Sequence, residues 1–214
     1  WNETQRSEAI LLHGVPAERI VVTGAQCFDH WFDRRPSRTR DHGCYQSFWH
    51  REVLFVLLDT VYNCKTSPRS GDLLGAVQWA WLENVLRTAS KSTIKVIGSG
   101  CTLEDSEGNW HWKAYPKAVA KLNEVLASAP GGVGRTLFVS GDVHEVRYRS
   151  ATQHSGGVKL PEIISSGIGL DPDTQPAYGG FAEVHFDPVA GDASYSLTNG
   201  VSAPNIMRKM MMTV

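Results

Sequence analysis

No stretch of the 214 residues stays apolar for the roughly 18 to 20 positions that a membrane-crossing helix needs, which excludes a transmembrane helix. Charge of one sign is missing too. The 21 Lys plus Arg residues face 22 Asp plus Glu, a net charge of -1, and no basic stripe of the kind a dedicated nucleic-acid binder shows is present. Cysteine is sparse: Cys27, Cys44, Cys64 and Cys101 are widely spaced and form no CxxC pair. That spacing speaks against a structural zinc site, and the length speaks against a disulfide scaffold. Neither an initiator Met nor a basic and apolar leader precedes Trp1-Asn2-Glu3-Thr4. The opening therefore reads as an excerpt of something longer or as a chain whose leader was removed, and localisation stays open. Oligomeric state is not legible.

The remaining composition is that of an ordinary folded domain. With 42% hydrophobic and 20% charged residues, disorder is excluded for the bulk of the chain and a sizeable core is expected. Residues 3–13 read as a short amphipathic helix and residues 18–24 as a β-branched strand. Residues 33–40, with four arginines and a proline, read as a solvated linker, with an anion-binding patch as the alternative. This gives a division into 1–40, a short α/β segment with its linker, and 41–214.

After the linker the pattern changes. Residues 53–58 are a continuous apolar run closed by Asp59-Thr60, as expected of a strand buried on both faces. Residues 65–71 form a loop. Val77, Trp81, Leu82, Val85, Leu86 and Ala89 then recur at helical spacing and predict an amphipathic helix over 72–89. Residues 93–97 read as a second buried strand and 136–139 as a third. The helix between them starts after Pro116 and turns Val119, Leu122, Val125 and Leu126 to one side. This alternation predicts an α/β fold whose sheet has parallel neighbours. Residues 162–165 add a short strand, 181–187 and 193–197 form an antiparallel hairpin, and the Met-rich tail from Met207 to Met212 reads as a frayed end.

The strongest candidate site is Gly141-Asp142-Val143-His144, just past the end of the third buried strand. Open α/β sheets place ligands at that edge. In an extended segment Asp142 and His144 share a face, and a carboxylate beside an imidazole suits a borderline-to-hard divalent or trivalent metal. On spacing alone, an Asp-capped turn beside an incidental surface histidine describes the same four residues equally well. Asp59 is open between ligand and turn cap. Asp41-His42 reads as linker, His111 between Trp110 and Trp112 as packing or the wall of a cleft, and His185 as structural. Ser99 and Cys101 lack the surroundings of a nucleophile.

From about residue 42 to 197 the chain resembles the C-terminal half of the PhoD-like alkaline phosphatases, in the calcineurin-like metallophosphoesterase superfamily. The resemblance rests on Tyr45-Gln46-Ser47-Phe48, the run from Phe55 to Tyr62, Leu74-Gly75-Ala76-Val77-Gln78-Trp79-Ala80-Trp81-Leu82, Val96-Ile97-Gly98-Ser99-Gly100, Tyr115-Pro116, the run from Leu137 to His144, and Glu162-Ile163-Ile164-Ser165-Ser166-Gly167, in consistent order and spacing. It implies a partial metallophosphoesterase sheet with flanking helices and a C-terminal hairpin. It further implies a phosphate-ester substrate and metal ions, either calcium and iron or manganese or zinc. Asp142 and His144 would be ligands and His144 catalytic, while the substrate-binding residues stay unassigned. Family members are often secreted. The family's Gly-Asp-Xaa-Xaa-Tyr and Asp-Asp-His-Asp motifs are absent upstream of this region, and its Asp-Thr-Arg-Tyr stands here as Asp59-Thr60-Val61-Tyr62. Residues 1–38 instead resemble a bacterial glycosyltransferase-like segment without a complete donor-binding site. The expected activity is an incomplete phosphoric ester hydrolase, the alternatives being a non-catalytic metal- or partner-binding fragment and a glycosyltransferase fragment.

Overall fold

The structure, a computed structural model, describes residues 10–11, 17, 44–61, 71–104, 110–155, 157–166, 180–199 and 208–210. The chain divides into two compact units, Trp1–Asp41 and His42–Val214. Of the N-terminal helix expected over 3–13 only residues 10 and 11 are described, and they are helical; the strand expected over 18–24, the Arg-rich linker, Asp41-His42 and nearly all of the 65–71 loop lie outside the described residues.

The larger unit is mixed α/β. β1 (Gln46–His50), β2 (Val53–Leu57), β3 (Ile94–Gly98), β4 (Thr136–Ser140), β5 (Val146–Arg149) and β6 (Glu162–Ser165) form one sheet in the order β1-β2-β3-β4-β6-β5. Its centre, β2-β3-β4-β6, is parallel, and both edges are antiparallel. Two helices, α1 (Gly75–Leu86) and α2 (Pro116–Ser128), connect β2 to β3 and β3 to β4. β7 (Gly180–Asp187), β8 (Asp192–Asn199) and β9 (Arg208–Met210) make a second, antiparallel sheet. The hairpin expected over 181–197 is thus present. The tail expected to fray instead supplies β9, whose backbone pairs with Ala193, Ser194 and Tyr195 of β8.

The central strands read as unbroken apolar runs because each face of the sheet is covered by a different layer. Leu54, Val56, Leu58, Ile97 and Phe138 join Leu82, Leu86, Leu122 and Leu126 in one core beneath the helices. Val53, Ile94, Val96, Leu137 and Ile163 join Ala193 and Tyr195 in the other, beneath the second sheet. Alternation along each strand deals its residues to the two cores in turn. Aromatic edges pin the second core: Phe55 stacks on Phe48 at 5.0 Å between centroids and meets Phe186 edge-on at 6.2 Å.

Helix α2 buries Ala118, Leu122, Val125 and Leu126, with Val119 partly covered, as its spacing predicts. Helix α1 departs from expectation. Val77 is 51% exposed, whereas Gln78, Trp79, Leu82 and Leu86 are buried and Trp81 and Val85 only partly so. The reason lies at the helix start. Asp72 accepts hydrogen bonds from the Gly75 N–H (3.0 Å) and the Trp79 indole N–H (2.8 Å), which fixes the rotation of the first turns and turns Trp79 inward. Gln78 completes the arrangement, its amide gripping the backbone of Asp59. Among the described residues no helix is long and apolar enough to cross a membrane.

Candidate functional site

The parallel strands end together, and an open cleft of about 390 Å³ lies at their C-terminal edge. Its walls are Leu57 and Leu58 after β2, residues 98–100 after β3, residues 139–141 at the end of β4, and Ser165 at the end of β6. Small residues make the space: a Cβ on Gly98 would meet Leu57 Cδ2 at 2.8 Å, and one on Gly141 would meet Ser166 Cβ at 3.3 Å.

The three serines on the walls are tied to the frame. Ser99 Oγ donates to the Cys101 carbonyl (2.7 Å) and accepts from the Trp112 indole N–H (3.0 Å). Ser140 Oγ donates to Glu162 (2.6 Å), and Ser165 Oγ accepts from the Ala182 N–H (3.2 Å). Ser99 is therefore a structural hydroxyl, in keeping with the absence of an elbow motif around it. Two further hydroxyls differ. Thr60 Oγ1, 3.2 Å from where a Gly100 side chain would start, and Ser166 Oγ, beside Gly141, are shut from solvent with no hydrogen-bond partner among the described residues.

Asp142 and His144 lie on the turn that leaves β4 beside the cleft, and both are exposed. The backbone there is not extended. Asp142 has φ 77° and His144 φ 56°, both left-handed, so strand alternation does not govern where their side chains go. Two non-glycine residues in that region within three positions mark a turn whose shape its surroundings hold, a feature that clusters at functional sites. Among the described residues, no group of three or more His, Cys, Asp or Glu side chains is placed to hold one metal ion. Asp142 and His144 offer two donors, which does not complete a two-metal site.

The other candidates resolve into frame. Asp59 is a cap: its Oδ1 accepts from the Val61 N–H (2.9 Å) and its Oδ2 from the Cys44 N–H (2.8 Å). Trp112 is not a cleft wall but a fully buried core residue, edge-on to Trp79 and Phe138 at 6.3 and 6.1 Å, with His111 on the turn before it. His185 pairs with Glu183 on the exposed hairpin (3.0 Å), and Cys101 is buried in the core beneath the helices. Gly191-Asp192-Ala193-Ser194-Tyr195 fits Gly-Asp-Xaa-Xaa-Tyr as a string, but it lies downstream, at the β7–β8 turn and into β8.

Sequence reasoning missed a buried polar row beside the cleft. Glu162 on β6, fully buried, accepts from Ser140 Oγ and from the Leu103 N–H (2.9 Å) through Oε1. Its Oε2 faces His154 Nε2 at 3.9 Å, and His154 Nδ1 faces Glu104 Oε1 at the same distance. The available signal was a carboxylate followed directly by Ile163-Ile164 in a strand too apolar to reach water.

No family model matches this chain, and no curated protein matches it.

Proposed function

We propose that residues 42–197 carry part of a PhoD-like, metal-dependent phosphoric ester hydrolase site, and that these residues alone turn over phosphate esters poorly or not at all. The observation that carries this reading is the left-handed turn bearing Asp142 and His144 directly after β4, beside a cleft at the C-terminal edge of a parallel sheet. Ligands in open α/β sheets bind at that edge. In such a hydrolase two metal ions activate a water and clamp the phosphate oxygens. Two donors hold one ion weakly and leave no bridging carboxylate, so no hydrolytic step is assigned to this chain.

A second reading is a non-catalytic metal- or partner-binding fragment: Ser99, Ser140 and Ser165, the described hydroxyls on the cleft wall, are all committed to the frame. Nearly all of the glycosyltransferase-like stretch, residues 1–38, lies outside the described residues. The test is to assay purified protein on a chromogenic phosphate ester with calcium, iron, manganese or zinc, with metal binding followed by calorimetry. Weak metal binding that Asp142→Asn removes, without turnover, is the expected result. Robust turnover abolished by Asp142→Asn would restore a complete enzyme, and metal binding indifferent to both Asp142→Asn and His144→Ala would refute the site.

A further inference from the structure

We propose that the cleft at the C-terminal edge of the parallel strands is a binding site for an uncharged, largely apolar small molecule. The inference does not use the hydrolase reading, since it needs neither a metal nor turnover. It begins with what the walls carry. Of the nine residues that line the cleft, two are leucine, one is valine, three are serine and three are glycine, so no ionisable side chain lines the space. Asp142 and His144 stand on the turn after Gly141 and are not among the nine.

The serines add little polarity that a ligand could use. Ser99 Oγ is engaged with the Cys101 carbonyl and the Trp112 indole, Ser140 Oγ with Glu162, and Ser165 Oγ with the Ala182 N–H. The glycines keep the space free of side chains. A Cβ at Gly98 would meet Leu57 Cδ2 at 2.8 Å, one at Gly100 would meet Thr60 Oγ1 at 3.2 Å, and one at Gly141 would meet Ser166 Cβ at 3.3 Å. Packing behind each position thus holds the wall bare, and the cleft exists without a side chain having to move aside. Its volume of about 390 Å³ is enough for a small molecule, whose sites are mostly apolar and largely pre-formed.

The chemistry of the walls selects the occupant. An ionic group brought here sheds water and meets no side chain of opposite charge, which is costly. A polyol gives up hydrogen bonds to water that the engaged serines do not replace. An apolar ring loses nothing of that kind and covers Leu57, Leu58 and Val139.

The experiment is an NMR titration of isotope-labelled full chain at neutral pH without added metal, following the amides of Gly98, Gly100 and Gly141. The probes are 2-naphthol, glycerol and inorganic phosphate. 2-Naphthol is expected to move the three amides along one saturating curve, while glycerol and phosphate leave them in place. Leu57→Asp sets a carboxylate on the wall and should weaken 2-naphthol by roughly tenfold or more. Should that variant fail to fold, the wild-type comparison of the three probes decides alone. 2-Naphthol that moves none of the three amides, glycerol or phosphate that moves them as strongly, or an unchanged affinity in folded Leu57→Asp overturns the proposal.

Discussion

Gln78 is the polar residue on which the junction between β2 and α1 depends, and its replacement gives a quantitative test of the fold. Its side chain is fully buried and makes three hydrogen bonds. Oε1 accepts from the Asp59 N–H at 2.8 Å, while Nε2 donates to the Asp59 carbonyl at 2.9 Å and the Leu74 carbonyl at 3.3 Å. Each such bond contributes about 1 kcal/mol net, and a buried group left unsatisfied costs about 1–3 kcal/mol. Gln78→Met keeps the volume and removes only the bonds, so a loss of about 3 kcal/mol is expected. In a chain of this size that lowers the melting midpoint by roughly 6–12 °C. Urea titration of wild type and variant, with the slope m unchanged, measures it. A Gln78→Met variant within about 0.5 kcal/mol of wild type refutes the reasoning, because surface substitutions cost no more than that.

Three other outcomes follow from the packing. Leu82→Ala should cost about 2–5 kcal/mol in a denaturant titration while Val77→Ala stays within about 0.5 kcal/mol; equal losses would mean that the helix is rotated from the position described. Gly131→Ala should destabilise more than Gly132→Ala, since both have positive φ but only the first brings a Cβ to 3.0 Å from the backbone of Lys91. Equal melting points for the two variants would contradict that difference. Burial, reinforced by the like charge of Arg135, holds the Lys95 amine below the usual lysine range. Between that lowered value and the ordinary ~10.4, the unfolded chain binds more protons than the native one. Lys95 therefore adds stability as pH rises through that window and withdraws it as pH falls. Urea midpoints of Lys95→Met between about pH 7 and 10 should climb less steeply than those of wild type, and parallel curves would count against it.

The parts of the fold legible in the sequence are those where one pattern had one cause. β2, β3 and β4 show as apolar runs because both faces are covered, and α2 shows because a single stripe, Ala118 to Leu126, meets the sheet. β1 was not anticipated: Gln46–His50 is an edge strand with little burial and no alternation, joined to β2 through Arg51 at φ 52°. β5, reading Val-Arg-Tyr-Arg, is likewise too short and too charged to announce itself. The face of α1 was misread at Val77 because hydrophobicity ranks valine above glutamine, whereas a buried Gln78 is decided by backbone groups of Asp59 far along the chain. Asp142 and His144 are expected on one face of an extended segment, whereas their left-handed dihedrals are a tertiary outcome that side-chain alternation does not encode. The Glu104, His154 and Glu162 row comes from three separate segments and has no spacing to detect.

The double covering of the central sheet has a consequence for synthesis. On the ribosome the chain emerges in order, so β2, β3, β4 and β6, with both helices, leave the exit tunnel before the strands that cover their second face. Until Gly180 and the residues beyond it follow, Val53, Ile94, Val96, Leu137 and Ile163 have no layer over them. At roughly 5–20 residues per second, delivering the last strands takes a few seconds. For that interval the nascent sheet presents an apolar surface to chaperones and to its neighbours on the same messenger. The growing chain is thus most exposed to misassembly just before the β7–β8 hairpin arrives.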